Sequence, residues 1–221
     1  IIGCVLAVLG ILCWVKGLQA LRPLDKAPRI YRVELSDGAA VSRGLLDELE
    51  ETNPFSLVRE TESNITAPLL GRSANLTLLL AAGDPSLPFA LQGLVDGAYP
   101  TPGSRGCAID ADTAEKLWGT AYAVDKTIVY NKEEYVVTGV FRSPRPTMIL
   151  LHESREDLLP TSAFYRPAED SFFPTQELEA FLSKVGAQGE ATTDLSRTAD
   201  LTRAMVLFPP WLFGFIAAVF C

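Results

Sequence analysis

The side chains that most often carry enzyme chemistry are sparse in this sequence. His152 is its single histidine, so a Ser-His-Asp triad would have to be built around that residue. It stands between Leu151 and Glu153 in a stretch with little secondary-structure pattern, and we interpret it as a surface or loop histidine. We therefore predict no catalytic residue in this chain.

Residue spacing gives no metal or nucleotide site either. The sequence has no C-x-x-C or H-x-x-x-H pair for zinc, no D-x-D-x-D-G calcium loop and no G-x-x-x-x-G-K-S/T phosphate loop. We expect no metal, no cofactor and no ATP hydrolysis by the chain itself. We interpret the acidic clusters as solvated charge. In addition, Asp110 is expected to cap a helix, and Glu133 and Glu134 to lie in a hairpin turn. The clusters are Asp110/Asp112, Glu133/Glu134, Glu153/Glu156/Asp157 and Glu169/Asp170.

Cysteines and glycosylation sequons add little chemistry. Three cysteines lie in the apolar ends, so Cys107 has no partner for an internal disulfide and is interpreted as a small buried apolar side chain. The sequons Asn64-Ile65-Thr66 and Asn75-Leu76-Thr77 are interpreted as chance matches. We also expect Asn75 to open a buried strand, where a sugar would not fit.

Both ends of the sequence are apolar and free of charge, over residues 1–15 and 205–221. A helix that crosses a bilayer needs about 20 apolar residues, so each end reads as part of a longer membrane span. A signal peptide is the alternative for the first segment, although no basic residue precedes it. Pro209-Pro210 marks either the start of the second helix or a kink. We predict a first span at 1–21, a folded domain at 22–204 and the beginning of a second span at 205–221.

The charge distribution separates the middle of the chain from its ends. Of the 19 basic residues, all but Lys16 lie between Arg22 and Arg203, as do all 27 acidic residues, so this segment carries a net charge of −9. Such a surface repels nucleic acid and, away from the anchors, anionic lipid head groups. We therefore predict no nucleic-acid partner.

Basic residues after the first span do not decide the topology. The positive-inside bias would place a loop that begins with Lys16, Arg22, Lys26, Arg29 and Arg32 in the cytoplasm. That bias is weak for loops much longer than about 60 residues, so we base the orientation on the family resemblance given below.

Strand and helix patterns alternate irregularly through the middle of the chain, which predicts an α+β domain with a mixed sheet and packed helices. Asp110 and Thr175 are predicted N-caps, and Gly119 and Gly186 are predicted helix stops. The acidic face of the first helix is interpreted as a solvent face. The predicted helices are 41–51, 110–119 and 175–186, and the predicted strands are 29–35, 55–62, 75–82, 107–109, 126–130, 134–141, 148–151, 163–165 and 190–195.

One stretch, residues 106–143, goes beyond fold class. It resembles the MacB-like periplasmic core domain of FtsX-like ABC transporter permeases, through Ala-Glu-Lys-Leu-Trp-Gly at 114–119, Val-Asp-Lys-Thr-Ile at 124–128 and Tyr-Val-Val-Thr-Gly-Val at 135–140. Leu-Val-Asp-Gly-Ala-Tyr-Pro at 94–100 is similar to the loop that precedes this block in the family. Asp125 departs from the pattern, because the family usually has glycine there.

The resemblance implies a multi-pass cell-membrane permease with this domain outside the cytoplasm. The implied partners are an ABC ATPase subunit or domain, a second permease copy, the lipid bilayer, and an extracytoplasmic adaptor or substrate-binding protein. The alternatives are a membrane-tethered sensor without an ATPase and, less well supported because it lacks a nucleophile–base pair, an envelope enzyme. Within the domain we expect Leu117 and Trp118 to pack near Val137 and Phe141, and Gly119 and Gly139 to permit close backbone approach.

Overall fold

Ten strands and three α-helices alternate along the part of the chain that the computed structural model describes, which is residues 29–36, 40–50, 54–90, 92–152, 157–168, 171–187 and 189–195. Residues Ile30–Thr193 form one compact unit. The strands are β1 Tyr31–Leu35, β2 Phe55–Ala67, β3 Arg72–Gly83, β4 Leu94–Gly97, β5 Gly106–Asp110, β6 Thr127–Tyr130, β7 Glu133–Phe141, β8 Thr147–Leu151, β9 Ser162–Tyr165 and β10 Gly189–Asp194. The helices are α1 Arg43–Glu50, α2 Ala111–Trp118 and α3 Pro174–Val185.

The predicted membrane spans, 1–21 and 205–221, lie outside the described residues. None of the helices that the structure describes combines the length and the apolar character needed to cross a bilayer.

All ten strands belong to one mixed sheet, as the alternation of strand and helix patterns predicted. The strand order is β10-β1-β9-β2-β3-β8-β5-β7-β4, and β6 pairs with both β7 and β2. Strands β3 and β8 run parallel, as do β5 and β7, whereas β2 is antiparallel to β3 and to β9. Because β6 joins β7 to β2, the six strands β2, β3, β8, β5, β7 and β6 close into a ring.

The long hairpin of β2 and β3 holds the two ends of the domain together. Its register runs without interruption from Ser56 opposite Gly83 to Ala67 opposite Arg72. The sequence predicted 55–62 and 75–82 and so missed residues 63–67 of β2 and 72–74 of β3 at the outer end of the hairpin. The missed part of β2 begins with Ser63-Asn64, which looks like a loop, but pairing with β3 continues through it. Tertiary pairing overrides weak local propensity at this point.

Two apolar cores lie along the hairpin. The first core is formed by β1, β9, α1, α3 and the beginning of β2. The second core fills the ring, and α2 packs into it through Ala114 and Leu117. We predicted that Leu117 packs near Val137. This is confirmed, because both side chains are fully buried in the second core.

Phe141 does not join that core, contrary to the prediction. A bulge in the pairing of β5 with β7 places Cys107 opposite Val137 but Ala108 opposite Gly139. This one-residue shift exchanges the faces of the strand, so Val140 rather than Phe141 follows Val137 into the ring. Phe141 packs on the other face, 4.3 Å from Phe89 between ring centroids.

The predicted helix ends are right for α2 and partly right for α3. Asp110 caps α2, because its Oδ1 accepts a hydrogen bond from the Thr113 amide at 3.0 Å and its Oδ2 accepts one from the Thr147 amide at 2.8 Å. Gly119 and Gly186 end their helices in the left-handed conformation, as predicted. Thr175 is not a cap. Helix α3 already begins at Pro174, whose fixed φ suits the first helical position.

The two glycines that were expected to allow close approach behave differently. A Cβ at Gly119 would meet nothing within 4 Å, so its role is the positive φ of 77°. A Cβ at Gly139 would lie well inside van der Waals contact of the Ala98 carbonyl oxygen, and backbone cannot move aside as a flexible side chain can. The segment after β4 therefore depends on the missing side chain at Gly139.

We expect Gly139→Ala to lower the free energy of unfolding by about 1–3 kcal/mol, the usual cost of overpacking. Gly44→Ala is the matched control, because a Cβ on this exposed residue of α1 meets nothing within 4 Å and alanine favours the helix by about 0.5 kcal/mol. Urea unfolding of the purified variants measures both changes. Equal stabilities would contradict the packing described for Gly139.

The turn that enters β6 explains the family's glycine at position 125. Asp125 has φ 64°, in the left-handed region that costs ordinary residues energy, and its amide donates to the Val137 carbonyl at 2.9 Å. The hairpin between β6 and β7 is confirmed, and its turn residues Asn131 and Lys132 also have positive φ, 50° and 67°. Such values at two successive residues are typical of a type I′ turn.

Asp125→Gly is expected to raise the free energy of unfolding by about 0.5–1 kcal/mol, since glycine adopts positive φ at little steric cost. Asp125→Val should lower it by about 1–2 kcal/mol, because β-branched residues are strained there. Asp125→Asn is the control and should change little, since asparagine tolerates this conformation. Thermal unfolding followed by circular dichroism ranks the three, and a valine variant as stable as the glycine variant would be inconsistent with the turn.

Candidate functional site

His152 lies in the loop after β8, as the sequence predicted, and is partly exposed. Its amide donates to the carbonyl of Ala81 at 2.8 Å, which continues the alignment of β8 with β3. The residue borders a cleft of about 530 Å³ between the two cores. Its sequence neighbours 153–156 lie outside the described residues.

The cleft carries charges of both signs beside apolar side chains. Arg59, Arg105, Glu133 and Asp157 line it, and aromatic rings of β6 and β7 form part of its wall. The Tyr135 hydroxyl donates to Glu133 Oε2 at 3.1 Å, and desolvation, followed by this hydrogen bond, raises the pKa of Tyr135. Opposite charges at one opening suit a polar ligand or water better than an apolar one. The full lining is Arg59, Leu80, Thr101, Arg105, Gly106, Tyr130, Glu133, Tyr135, Leu150, Leu151, His152, Asp157 and Leu158.

Cys107 is buried in the second core, which confirms its interpretation as a small apolar side chain. Burial raises the pKa of its thiol to about 12, so the reactive thiolate is suppressed in the folded protein. No group of three or more His, Cys, Asp and Glu side chains that could hold a metal ion occurs among the described residues.

The thiol of Cys107 should resist iodoacetamide at pH 8 in the folded protein and react readily in urea, as peptide mass spectrometry of the labelled protein would show. Its pKa also affects stability. The pKa is higher in the folded state than its usual 9.0, so stability should fall as pH rises from about 9 towards 12, where only the unfolded state releases the proton. Cys107→Ala should flatten that part of the pH dependence. Rapid labelling of the folded protein would refute the burial.

The asparagines of the two sequons face each other on the hairpin. Asn64 Nδ2 donates to Asn75 Oδ1 at 2.6 Å across β2 and β3. The expectation that Asn75 opens a buried strand is wrong, because β3 already begins at Arg72 and strand alternation turns Asn75 outward between the buried Ala74 and Leu76. Both side chains are exposed but pair with each other.

The hairpin ends in an exposed apolar tip. Leu69 and Leu70, in the turn between β2 and β3, are 90% and 51% exposed. Arg72 Nη1 donates to the Leu117 carbonyl at 3.4 Å, which fastens the tip to the end of α2. The loop after α2 carries a further exposed ring, Tyr122, which is 71% exposed. We call Leu69 and Leu70 the distal patch.

A small ionic network crosses the sheet away from the cores. Glu60 on β2 accepts from Arg145 at 2.7 Å and from Arg32 of β1 at 3.4 Å. It links the first strand of the domain to the segment that leads into β8. Because all three side chains are partly solvated, the network contributes modestly to stability.

Comparison with known families identifies this architecture. Residues 1–201 match the family model of the MacB-like periplasmic core domain. The chain belongs to this family. The resemblance noted in residues 106–143 is thereby confirmed, and the family is a periplasmic domain of ABC transporter permeases rather than a catalytic family.

Solved structures share the fold of this MacB-like domain at low sequence identity. One is the extracellular domain of the noncanonical ABC-type transporter YknZ from Gram-positive bacteria, with a TM-score of 0.53, 14% identity, and coverage of 74% of this chain and 99% of that one. Another is the periplasmic region of MacB from Actinobacillus actinomycetemcomitans, with a TM-score of 0.59, 12% identity, and coverage of 85% and 97%. A search of curated protein sequences gave no significant match.

Sequence reasoning missed the distal patch and the cleft of this MacB-like domain. A signal for the patch existed, since Pro68-Leu69-Leu70-Gly71 joins a turn motif to two leucines outside any strand pattern. The cleft left no such signal, because its lining comes from six strands and two loops, many of them distant in sequence.

Proposed function

We propose that this chain is part of the permease subunit of an ABC transporter, in which the domain at 22–204 couples ATP-driven helix movement to a partner or substrate outside the membrane. In this proposal spans at 1–21 and from 205 onward anchor it as part of a multi-pass protein. The observation that carries the proposal is the β2–β3 hairpin, which runs through both cores and ends in the distal patch.

The hairpin has the geometry of a lever. Strand β2 has 13 residues, which corresponds to about 43 Å at 3.3 Å per residue. Its first residues pack in the first core and pair with β9, which in turn pairs with β1, the strand that follows the predicted first span. Its last residues, Ile65 and Ala67, pack in the second core beneath the distal patch. A displacement of the first core is therefore carried to the tip by continuous backbone pairing.

Both chain ends of the domain support this coupling. Strand β10, the last of the domain, is the neighbour of β1, the first. Movement of either predicted span would therefore act on one edge of the sheet. The buried apolar contacts of the first core would transmit it, with a smaller share from the Arg32–Glu60–Arg145 network.

The proposed partners follow from this arrangement and from the family. They are an ABC ATPase as subunit or fused domain, a second permease copy, the lipid bilayer, and an extracytoplasmic adaptor or substrate-binding protein at the distal patch. The net charge of −9 between Arg22 and Arg203 argues against nucleic acid.

A second candidate function is a membrane-tethered sensor with no ATPase. The observation that favours it is the cleft of about 530 Å³ between the cores, which has the size of a small-molecule site. A ligand held between Arg59 and Asp157 would alter the relation between the cores without any ATP-driven step.

Purification of the full-length gene product from native membranes distinguishes these functions. We expect an ATPase subunit or fused domain at one copy per permease, with measurable ATP hydrolysis. A protein that is free of any ATPase and does not hydrolyse ATP would overturn the transporter proposal and favour the sensor.

The same preparation tests the role of the distal patch. The double variant Leu69→Asp and Leu70→Asp should leave basal ATP hydrolysis unchanged and weaken retention of the outer partner at least about 30-fold, as loss of a central apolar contact does. Leu94→Asp is the matched control, because Leu94 is an exposed leucine, 39% accessible, on the edge strand β4. Equal retention by both variants would exclude the tip as the docking surface.

A further inference from the structure

Two adjacent phenylalanines at the start of α3 are held in solvent. Phe172 is 91% exposed and Phe173 is 64% exposed. Single exposed apolar residues are common on protein surfaces, but two neighbouring aromatic side chains at an ordered helix start suggest a binding surface. We call Phe172 and Phe173 the aromatic step.

The backbone around the aromatic step is fixed. Phe173 is the N-cap residue of α3, and its carbonyl accepts hydrogen bonds from the amides of Gln176 and Glu177. The Glu177 carboxylate in turn accepts from the Ala168 amide and the Ser171 hydroxyl. The two rings are therefore presented by a structured turn, and the nearby carboxylate is engaged within it.

The segment that leads into the aromatic step leaves the sheet at the end where the chain arrives from the predicted first span. Tyr165, the last residue of β9, pairs with Tyr31 at the start of β1 and with Phe55 at the start of β2. Phe181 of α3 contacts this row, with ring centroids 5.0 Å from Tyr165 and 5.5 Å from Phe55. Phe173 precedes Phe181 by eight residues, or about 12 Å along the helix axis.

The chain length between span and sheet limits the distance from the bilayer. Eight residues, 22–29, separate the predicted span at 1–21 from Ile30, and they can bridge at most about 29 Å when extended. The distal patch lies at the other end of β2, about 43 Å away by strand length. Of these two apolar surfaces, the aromatic step is thus the one within reach of lipid.

From this placement we infer that the aromatic step is a membrane-surface contact, in which Phe172 and Phe173 enter the boundary between lipid head groups and acyl chains. This inference rests on the anchoring by 1–21 in the proposed function. It would give the first core a second point of attachment to the membrane.

Glu169 and Asp170 lie just before the aromatic step, and the basic residues that favour the contact lie in the segment after the predicted first span. Four basic residues and one acidic residue, Asp25, occur between positions 22 and 32. Basic side chains next to a membrane span interact favourably with anionic lipid head groups. The basic residues are Arg22, Lys26, Arg29 and Arg32, of which Arg32 is already paired with Glu60.

Spin-label accessibility in the full-length protein tests the inference. A label is placed by Phe172→Cys, with Cys4, Cys13 and Cys221 replaced by serine and the buried Cys107 retained, and the protein is reconstituted in vesicles of phosphatidylethanolamine and phosphatidylglycerol. Leu69→Cys is the matched control, since Leu69 is 90% exposed at the opposite end of the hairpin. Collision rates are measured with oxygen, which concentrates in lipid, and with a nickel chelate, which stays in water.

The expected result is a ratio of oxygen to nickel collisions several-fold higher at position 172 than at position 69, corresponding to a depth within about 10 Å of the head-group boundary. Equal ratios in a protein that resists alkaline carbonate extraction would overturn the inference while leaving the anchoring intact. A label shielded from both reagents would mean a protein contact and would also overturn it. Release of the protein by carbonate would refute the anchoring itself.

Discussion

The uninterrupted register between β2 and β3 is the constraint on which the rest of the structure depends. From Ser56 opposite Gly83 to Ala67 opposite Arg72, each residue of one strand has a fixed partner on the other. A slip by one residue would turn every side chain to the opposite face and remove Leu57 from the first core and Ile65 from the second at the same time. The two cores are thus locked to one another through backbone pairing, and neither can change its register independently. Coupling between distant ends of the domain follows from this shared register without a dedicated chain of polar contacts.

Much of the fold could be predicted from the sequence, because its signals are local. The Asp110 cap and the Gly119 stop define α2 by hydrogen bonding and φ, and both are visible in the residue types. The β6–β7 hairpin is equally local. Errors arose where a distant partner decided the outcome. The outer part of β2 is a strand because β3 lies beside it, and Phe141 faces away from the second core because of a bulge opposite β5. Position 125 shows a third case. The family's usual glycine indicates a positive φ there, which aspartate by its residue type alone would not have revealed.

The candidate surfaces were harder to predict than the fold for a physical reason. Hydrophobic periodicity reports which side chains are buried, so leucines or phenylalanines outside a period are usually assigned to a loop and left uninterpreted. Leu69 and Phe172 are of this kind, and their exposure becomes informative once the sheet places them at opposite ends of the domain. His152 illustrates the reverse situation. Histidine is a common catalytic residue, so its presence suggested a function. In the structure its amide continues the alignment of β8 with β3, and its side chain borders the cleft.

The ring of six strands is closed at a single pair of residues, Thr66 of β2 and Val129 of β6. Closure protects backbone groups of both strands that would otherwise form open edges and invite pairing with other chains. A closure made by one pair is also the place where amide exchange with solvent would begin, since few hydrogen bonds must break for the ring to part. The β2–β6 pair is therefore the weakest point of the ring. Parting of this pair would separate β6 from β2, while the pairing of β2 with β3 kept the hairpin's length and register.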